Sequence, residues 1–165
     1  MDHQPLTAVQ EDYLEAIYRL ERETPDRAIR ITDIAARLGT KPPTVTRAVR
    51  RLAALALLHH PLRGRVGLSA QGRKMAVEIV HRHEDIVSFF TTILGLRTHE
   101  AEIDACQIEH GLSARTAQRL HDFLEHFDSL PTAERRNMTG FLKVEMKTAG
   151  EFRTLTRSRG NGWRT

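Results

Sequence analysis

Between Ile34 and Val77 the chain carries nine Lys or Arg and no Asp or Glu, and apolar residues recur through the same stretch at helical spacing. Ile34, Ala35 and Leu38 form one short amphipathic run, and Val45, Val49, Leu52, Leu55 and Ala56 form a second. Residues three and four apart share a helix face, so each run reads as a helix with one buried side. Only Gly39-Thr40-Lys41-Pro42-Pro43 separates them. Gly stops the first helix and Pro suits the first position of the next, so the two must turn sharply and pack on each other. A brief turn ahead of a cationic second helix is the helix-turn-helix pattern. A stretch of this length without carboxylates is what a polyanion-binding surface requires.

The flanks complete the unit. Thr7 and Gln10 have capping-box spacing, and Tyr13, Leu14, Ile17, Tyr18 and Leu20 keep a helical period, so a helix is expected over about residues 8–23, ended by Pro25. Thr32 is placed to cap the helix that carries Ile34. After the third helix, Leu57-Leu58-His59-His60 and Arg65-Val66-Gly67-Leu68 flank a Gly/Pro turn and read as a β-hairpin. Three helices and a hairpin wing make residues 1–72 a winged helix-turn-helix, with double-stranded DNA as the expected partner. Its recognition helix lies in the major groove, with Arg47 able to read guanine and Thr44 and Thr46 to touch phosphate or a thymine methyl. Lys41, Arg50 and Arg51 suit phosphate contacts, Pro43 opens the helix beside them, and Arg63 and Arg65 sit on the wing.

Ser69 opens a long helix that reaches Gly95, with Met75, Ile79, Ile86, Phe89 and Phe90 expected inside. Thr98 caps a helix running into His110 and ending at Gly111. Ser113 caps another, with Leu120, Phe123, Leu124 and Phe127 as its apolar face. The fold class is therefore mainly α, with residues 73–128 forming a second, helical domain. Residues 129–165 form a basic extension, with a helix over about 132–148 and a disordered end. Charge is sorted along the chain: residues 1–33 carry net −4, residues 34–77 net +9, residues 78–128 net −6 and residues 129–165 net +5. The single Cys excludes an internal disulfide and fits a reducing compartment. There is no apolar run of membrane-spanning length and no signal-peptide pattern, so the expected location is the cytoplasm and no membrane partner is expected. With 5% aromatic residues, base stacking on single strands is not an obvious mode.

The acidic, His-rich block holds a second signal. Cys106, Glu109 and His110 sit three and four apart, which would turn a thiol, a carboxylate and an imidazole to one side of a helix. Asp12 and Glu15 share a face of the first helix, and His83 lies within the long helix beside Glu84 and Asp85. These six are metal-ligand groups on three helices, and the mixture suits a first-row transition ion. Each also has a plainer reading, as a solvated acidic face, an exposed His or a small Cys at a helix end.

Taken in order, several short segments resemble one family. They are Gln10 to Tyr18 (QEDYLEAIY), Ile34 to Leu38 (IAARL), Pro43-Thr44-Val45-Thr46, Leu68 to Gly72 (LSAQG), Arg82-His83-Glu84 and Ile108 to Ser113 (IEHGLS). Together, over about residues 6–127, the chain is similar to the diphtheria toxin repressor (DtxR/MntR) family of metal-dependent transcriptional regulators. The resemblance implies that Asp12, Cys106, Glu109 and His110 form a regulatory metal site, and that Glu15 and His83 bind a neighbouring ion or complete the same cluster. It also implies a homodimer joined through the helices after the wing, and repression of metal-homeostasis genes from a DNA operator when Mn(II) or Fe(II) is bound, with Zn(II) or Co(II) as surrogates. The manganese-sensing branch has a carboxylate where this chain has Cys106. The iron-sensing branch has that Cys but a Met in place of Asp12. Asp and Glu favour hard Mn(II), whereas a thiolate draws softer ions. A Glu that serves the iron branch's ancillary site is replaced here by Val87, and Glu102, one turn before Cys106, can partly substitute. The chain looks like the short form without a C-terminal β-barrel.

Two other classes compete. A metal-independent winged-helix regulator would sense a small organic ligand in its helical core and leave the donor spacing without a role. A phosphohydrolase built on His83, His110 and His121-Asp122, or a thiol enzyme on Cys106, lacks a glycine-rich phosphate loop or oxyanion turn, so no enzymatic activity is expected.

Overall fold

The computed structural model describes residues 6–59 and 65–140. Helix α1 spans Ala8–Glu23 and begins at the expected capping box: Gln10 N–H donates to the Thr7 hydroxyl and Thr7 N–H donates to Gln10 Oε1. It buries Tyr13, Leu14, Ala16, Ile17 and Leu20 along one stripe. Helix α2, Ile31–Arg37, starts two residues earlier than Thr32 capping would place it, because the Asp33 carboxylate accepts the Arg30 N–H at 2.9 Å and does the capping. Gly39 follows with φ +58°, the left-handed conformation that suits a residue without Cβ. Helix α3, Pro42–Ala54, then carries two prolines in its first turn.

Val45, Val49 and Leu52 of α3 meet Ile34 and Ala35 of α2 and the α1 stripe in one core. Leu55 and Ala56 leave the expected apolar stripe. The helix ends at Ala54, Leu55 is 48% exposed, and Ala56 has φ +58°, a backbone region costly for any residue with a Cβ.

The wing differs from a simple hairpin. Leu58 and Leu68 form an antiparallel bridge, and His59 N–H donates to Gly67 O at 2.9 Å, as the expected hairpin requires. The strand β2, Arg65–Val66, however, pairs antiparallel with β1, Ile29–Arg30, a segment from before α2. Burial of Ile29 and Val66 in the shared core selects this pairing. Arg63 and the rest of the wing tip, residues 60–64, lie outside the described residues, as does the tail from 141.

Helix α4, Ala70–Ser88, belongs to both halves of the molecule. The Ser69 hydroxyl accepts the Gly72 N–H at 2.9 Å and donates to Ala56 O at 2.7 Å, so the cap also fastens the end of the recognition-helix turn. Ala76 and Ile79 enter the DNA-reading core, while Val80, His83 and Ile86 lie buried further along. The expected continuation to Gly95 is a π-helical turn, Phe89–Ile93, where Phe89 and Phe90 are half-buried and the Phe89 ring meets Phe123 edge-on at 6.0 Å. Gly95 has φ +70°.

Helix α5, Thr98–Ile108, starts from Arg97, whose N–H donates to Glu100, so Thr98 lies inside the helix instead of capping it. A 3₁₀ turn, Glu109–Gly111, follows. Helix α6, Ala114–Ser129, is capped by Ser113 as expected and buries Leu124 and Phe127. Helix α7, Thr132–Thr139, covers the described part of the last expected helix. Among the described residues no helix is long and apolar enough to cross a membrane.

Two substitutions test the junction at the start of α4. A Cβ on Gly72 would lie 1.8 Å from Leu57 O, so Gly72→Ala should destabilise the fold by about 1–3 kcal/mol through forced backbone shifts. Ala56→Gly, which relieves a positive φ, should stabilise it by up to about 1 kcal/mol. Urea unfolding curves measure both.

Candidate metal centre

Three elements converge where α1 leaves the DNA-reading core. Helix α1 contributes Glu11, Asp12 and Glu15 from its polar side, α4 contributes Arg82 and His83, and α5 with its 3₁₀ turn contributes Glu102, Cys106, Glu109 and His110. Winding changes from α to 3₁₀ at Glu109, so Cys106 lies on α5 while Glu109 and His110 lie on the turn that follows it. Glu109 is 2% exposed and His83 4% exposed.

The donors fall into two groups that share one residue. Single ligand atoms of His83, Cys106 and Glu109 lie within 4.8 Å of one another, and so do those of Asp12, Glu109 and His110. Glu109 Oε2 is 2.6 Å from His83 Nδ1, and Glu109 Oε1 is 3.3 Å from His110 Nε2. Asp12 Oδ1 lies 2.9 Å from the same His110 nitrogen. Cys106 therefore groups with His83, apart from Asp12 and His110. Glu15 joins neither group. Its carboxylate pairs with Arg19 at 2.8 Å, yet its charge is felt by both His83 and Cys106.

Two further carboxylates hold the outer sides of the imidazoles: Glu102, which its place one turn before Cys106 had suggested, and Glu11, which the sequence reading missed. Glu102 Oε2 is 2.9 Å from His83 Nε2, and Glu11 Oε2 is 2.8 Å from His110 Nδ1 and ion-paired with Arg82. Glu11 escaped the sequence reading because its partners are distant in the chain; its one local signal is the four-residue spacing to Glu15.

The electrostatics follow from this crowding. The Glu109 hydrogen bond, opposed by burial and reinforced by Glu102 and Glu15, raises the His83 pKa to about 9. Burial pulls the His110 imidazole down, but the Glu11 hydrogen bond and the charges of Glu109, Asp12 and Glu11 outweigh it and leave its pKa raised. Burial, then the charges of Glu109, Glu15, Glu102 and Asp12, pushes the Cys106 thiol up. The cluster thus favours positive charge on its imidazoles and disfavours a thiolate. Carboxylate oxygens, two imidazoles and a thiol within a few ångströms fit a divalent first-row ion.

The exposed surface of α3 and of the start of β2 is cationic. Lys41, Pro43, Thr44, Arg47, Arg50, Arg51 and Arg65 are all exposed, and none of these five cations has a carboxylate partner among the described residues. Arg37 and Arg73 of the same basic block are instead structural, paired with Glu23 and Glu21 of α1. The Thr46 hydroxyl donates to Pro42 O at 2.9 Å, which turns it back to its own helix.

An unpaired cationic recognition helix, packed through α1 against an acidic imidazole cluster, defines a metal-responsive DNA-binding protein. Two family descriptions match in tandem: iron dependent repressor, N-terminal DNA binding domain, over residues 5–64, and iron dependent repressor, metal binding and dimerisation domain, over residues 69–136. The chain belongs to this iron-dependent repressor family of metal-dependent transcriptional regulators. The transcriptional regulator MntR of Escherichia coli O157:H7 is 40% identical over 116 residues, covering 70% of this chain and 72% of that protein. The HTH-type transcriptional regulator MntR of Bacillus subtilis is 34% identical over 123 residues, covering 74% and 84%. A solved manganese-dependent transcriptional repressor in complex with manganese superposes with TM-score 0.64 at 30% identity, over 76% of this chain and 59% of that one. The chain spans little more than half the length of several such structures.

The His83 shift carries a testable sign. Its pKa rises on folding from 6.5 to about 9, so the imidazolium stabilises the fold fully below pH 6.5 and loses that contribution as pH climbs through 9. Chelator-treated protein should therefore unfold at progressively lower urea between pH 7 and 9.5. His83→Gln should flatten that dependence, and a variant with the wild-type slope would show that His83 is not its source.

Proposed function

We propose that the chain is a metal-activated repressor that acts as a cytoplasmic homodimer on double-stranded operator DNA and regulates metal homeostasis, with Mn(II) or Fe(II) as the activating ion. The observation that carries this reading is the sharing of buried Glu109 between two donor groups drawn from α1, α4 and the turn after α5. The relatives named for manganese support the choice of ion.

A bound divalent ion supplies two positive charges where the Asp12 and Glu109 carboxylates converge. The residues do the rest. Asp12 sits on the polar side of α1, and the opposite side carries Leu14 and Ile17 into the core shared with α2 and α3. Holding Asp12 against Glu109 and His110 therefore fixes the recognition helix relative to the helices after the wing. In a homodimer this sets the spacing of two recognition helices for major-groove half-sites, about 34 Å apart. Exposed Lys41, Arg47, Arg50, Arg51 and Arg65 meet the DNA, mostly at phosphates. His83, whose pKa is raised to about 9, would have to give up its proton to hold an ion, so uptake would release protons and tighten as pH rises.

The two donor groups differ in softness. Asp12, Glu109 and His110 offer oxygen and nitrogen and suit Mn(II) or Fe(II). His83, Cys106 and Glu109 include a thiol whose deprotonation is opposed by burial and by nearby carboxylates, so this group needs a more thiophilic ion such as Co(II) or Zn(II).

DNA binding at fixed salt, under anaerobic conditions, tests the reading. Mn(II) or Fe(II) should tighten binding by about 5–150-fold over chelator-treated protein, with the reciprocal tightening of metal by DNA. Equal affinity with and without metal would overturn it. Asp12→Asn should abolish most of the Mn(II) response, whereas Cys106→Glu should favour Mn(II) over Zn(II) relative to wild type in metal competition. Arg50→Ala should weaken binding to all sequences alike and reduce the salt slope of log K by about 0.9, the signature of one lost phosphate contact.

A further inference from the structure

The two nitrogens of His110 face different worlds. Nε2 looks at Asp12 Oδ1 at 2.9 Å and Glu109 Oε1 at 3.3 Å, the other members of its donor group. Nδ1 looks away, onto Glu11 Oε2 at 2.8 Å, and Glu11 belongs to neither donor group. The same Oε2 accepts from Nη2 of Arg82 on α4. Glu11 is the one polar partner of Arg82 among the described residues, and Arg82 Nε is buried with no hydrogen-bond partner. A guanidinium left partly unsatisfied is held in place by what its other end grips, here a carboxylate that in turn grips an imidazole.

We infer that Glu11, held by Arg82, is a positioning residue for His110: it keeps the proton on Nδ1 and leaves the Nε2 lone pair directed at Asp12 and Glu109. The inference rests on the metal-sensor reading above. A ligating His has its tautomer and ring orientation set by the group that takes its other N–H, and a carboxylate there also raises its basicity as a ligand. Glu11 stands one residue before Asp12, so α1 supplies both a donor to the cluster and the buttress for a second donor on another element. The chain Arg82–Glu11–His110 also joins α4, α1 and the turn after α5, which between them carry every donor but Cys106, through protein groups alone. It pre-seats α1 for the ion.

The test uses the full chain loaded with diamagnetic Zn(II), imidazole ¹⁵N NMR, and Zn(II) and Mn(II) affinities from chelator competition. In wild type, His110 should be metallated at Nε2 and carry a slowly exchanging proton on Nδ1. Glu11→Ala should weaken affinity for both ions by about 10–100-fold and lose the protected Nδ1–H signal. Glu11→Gln, whose amide oxygen still accepts that proton, should restore the signal and much of the affinity. Arg82→Gln, which frees Glu11 without removing it, should fall between wild type and Glu11→Ala. Metallation at Nδ1 in wild type would overturn the inference. So would Glu11→Ala protein that unfolds more easily yet binds both ions with wild-type affinity and unchanged His110 shifts, since the pair would then be a structural ion pair only. Absence of any metal uptake by wild type would overturn the sensor reading itself, whereas uptake indifferent to Glu11 overturns this inference alone.

Discussion

A carboxylate that is 2% exposed imposes conditions on everything around it, and Glu109 imposes them here. A buried anion is tolerated only where opposite charge and hydrogen bonds reach it. His83 from α4 and His110 from the adjacent turn position meet that need on its two oxygens. For this to happen α5 must give way to a 3₁₀ turn at Glu109, α4 must run straight past it, and α1 must bring Asp12 within reach of His110. The cluster is thus less an ornament on the fold than a closure point for three elements. In this structure the positive charge that satisfies Glu109 comes from the imidazoles, and in the proposed function a divalent ion takes that place.

The other organising fact is how α1 divides its carboxylates. Glu11 and Asp12, in its first half, contact the His110 imidazole, and the charge of Glu15 reaches His83 and Cys106. Glu21 and Glu23, in its last turns, tie down Arg73, Arg37 and the Leu68 N–H of the wing. Each acid is consumed by a structural or ligand role, so none is left to neutralise α3. Lys41, Arg47, Arg50 and Arg51 keep their charge unpaired because Glu21 and Glu23 of α1 are engaged by Arg73 and Arg37, and Asp33 by Arg27. One helix therefore couples an acidic sensor to a basic reader while keeping their fields apart.

Much of this was legible before any coordinates. The helix starts at Thr7, Ser69 and Ser113 were readable because a hydroxyl that caps backbone N–H groups is a local signal. The strand Ile29–Arg30 was not, since two residues carry no periodicity and its partner lies beyond α2 and α3. Thr32 and Thr98 misled because Asp33 and Glu100 each reach back three residues, to the N–H groups of Arg30 and Arg97, and cap the helix before the threonine. Spacing put Cys106, Glu109 and His110 on one helical face, whereas in the fold Cys106 groups with His83, His110 groups with Asp12, and Glu109 is shared by both.

The sequence alone determined the amphipathic helices, the Gly-Thr-Lys-Pro-Pro turn, the acid-free basic block and the supply of thiol, imidazole and carboxylate donors, because each follows from periodicity and chemistry within a few residues. It could not decide which donors act together. Asp12 and His110 stand 98 residues apart, and Glu11 and Arg82 stand 71 apart. Only the packing of α4 against α1 on one side and against α5 and its turn on the other brings them within hydrogen-bond distance, so the grouping of the donors belongs to the tertiary structure.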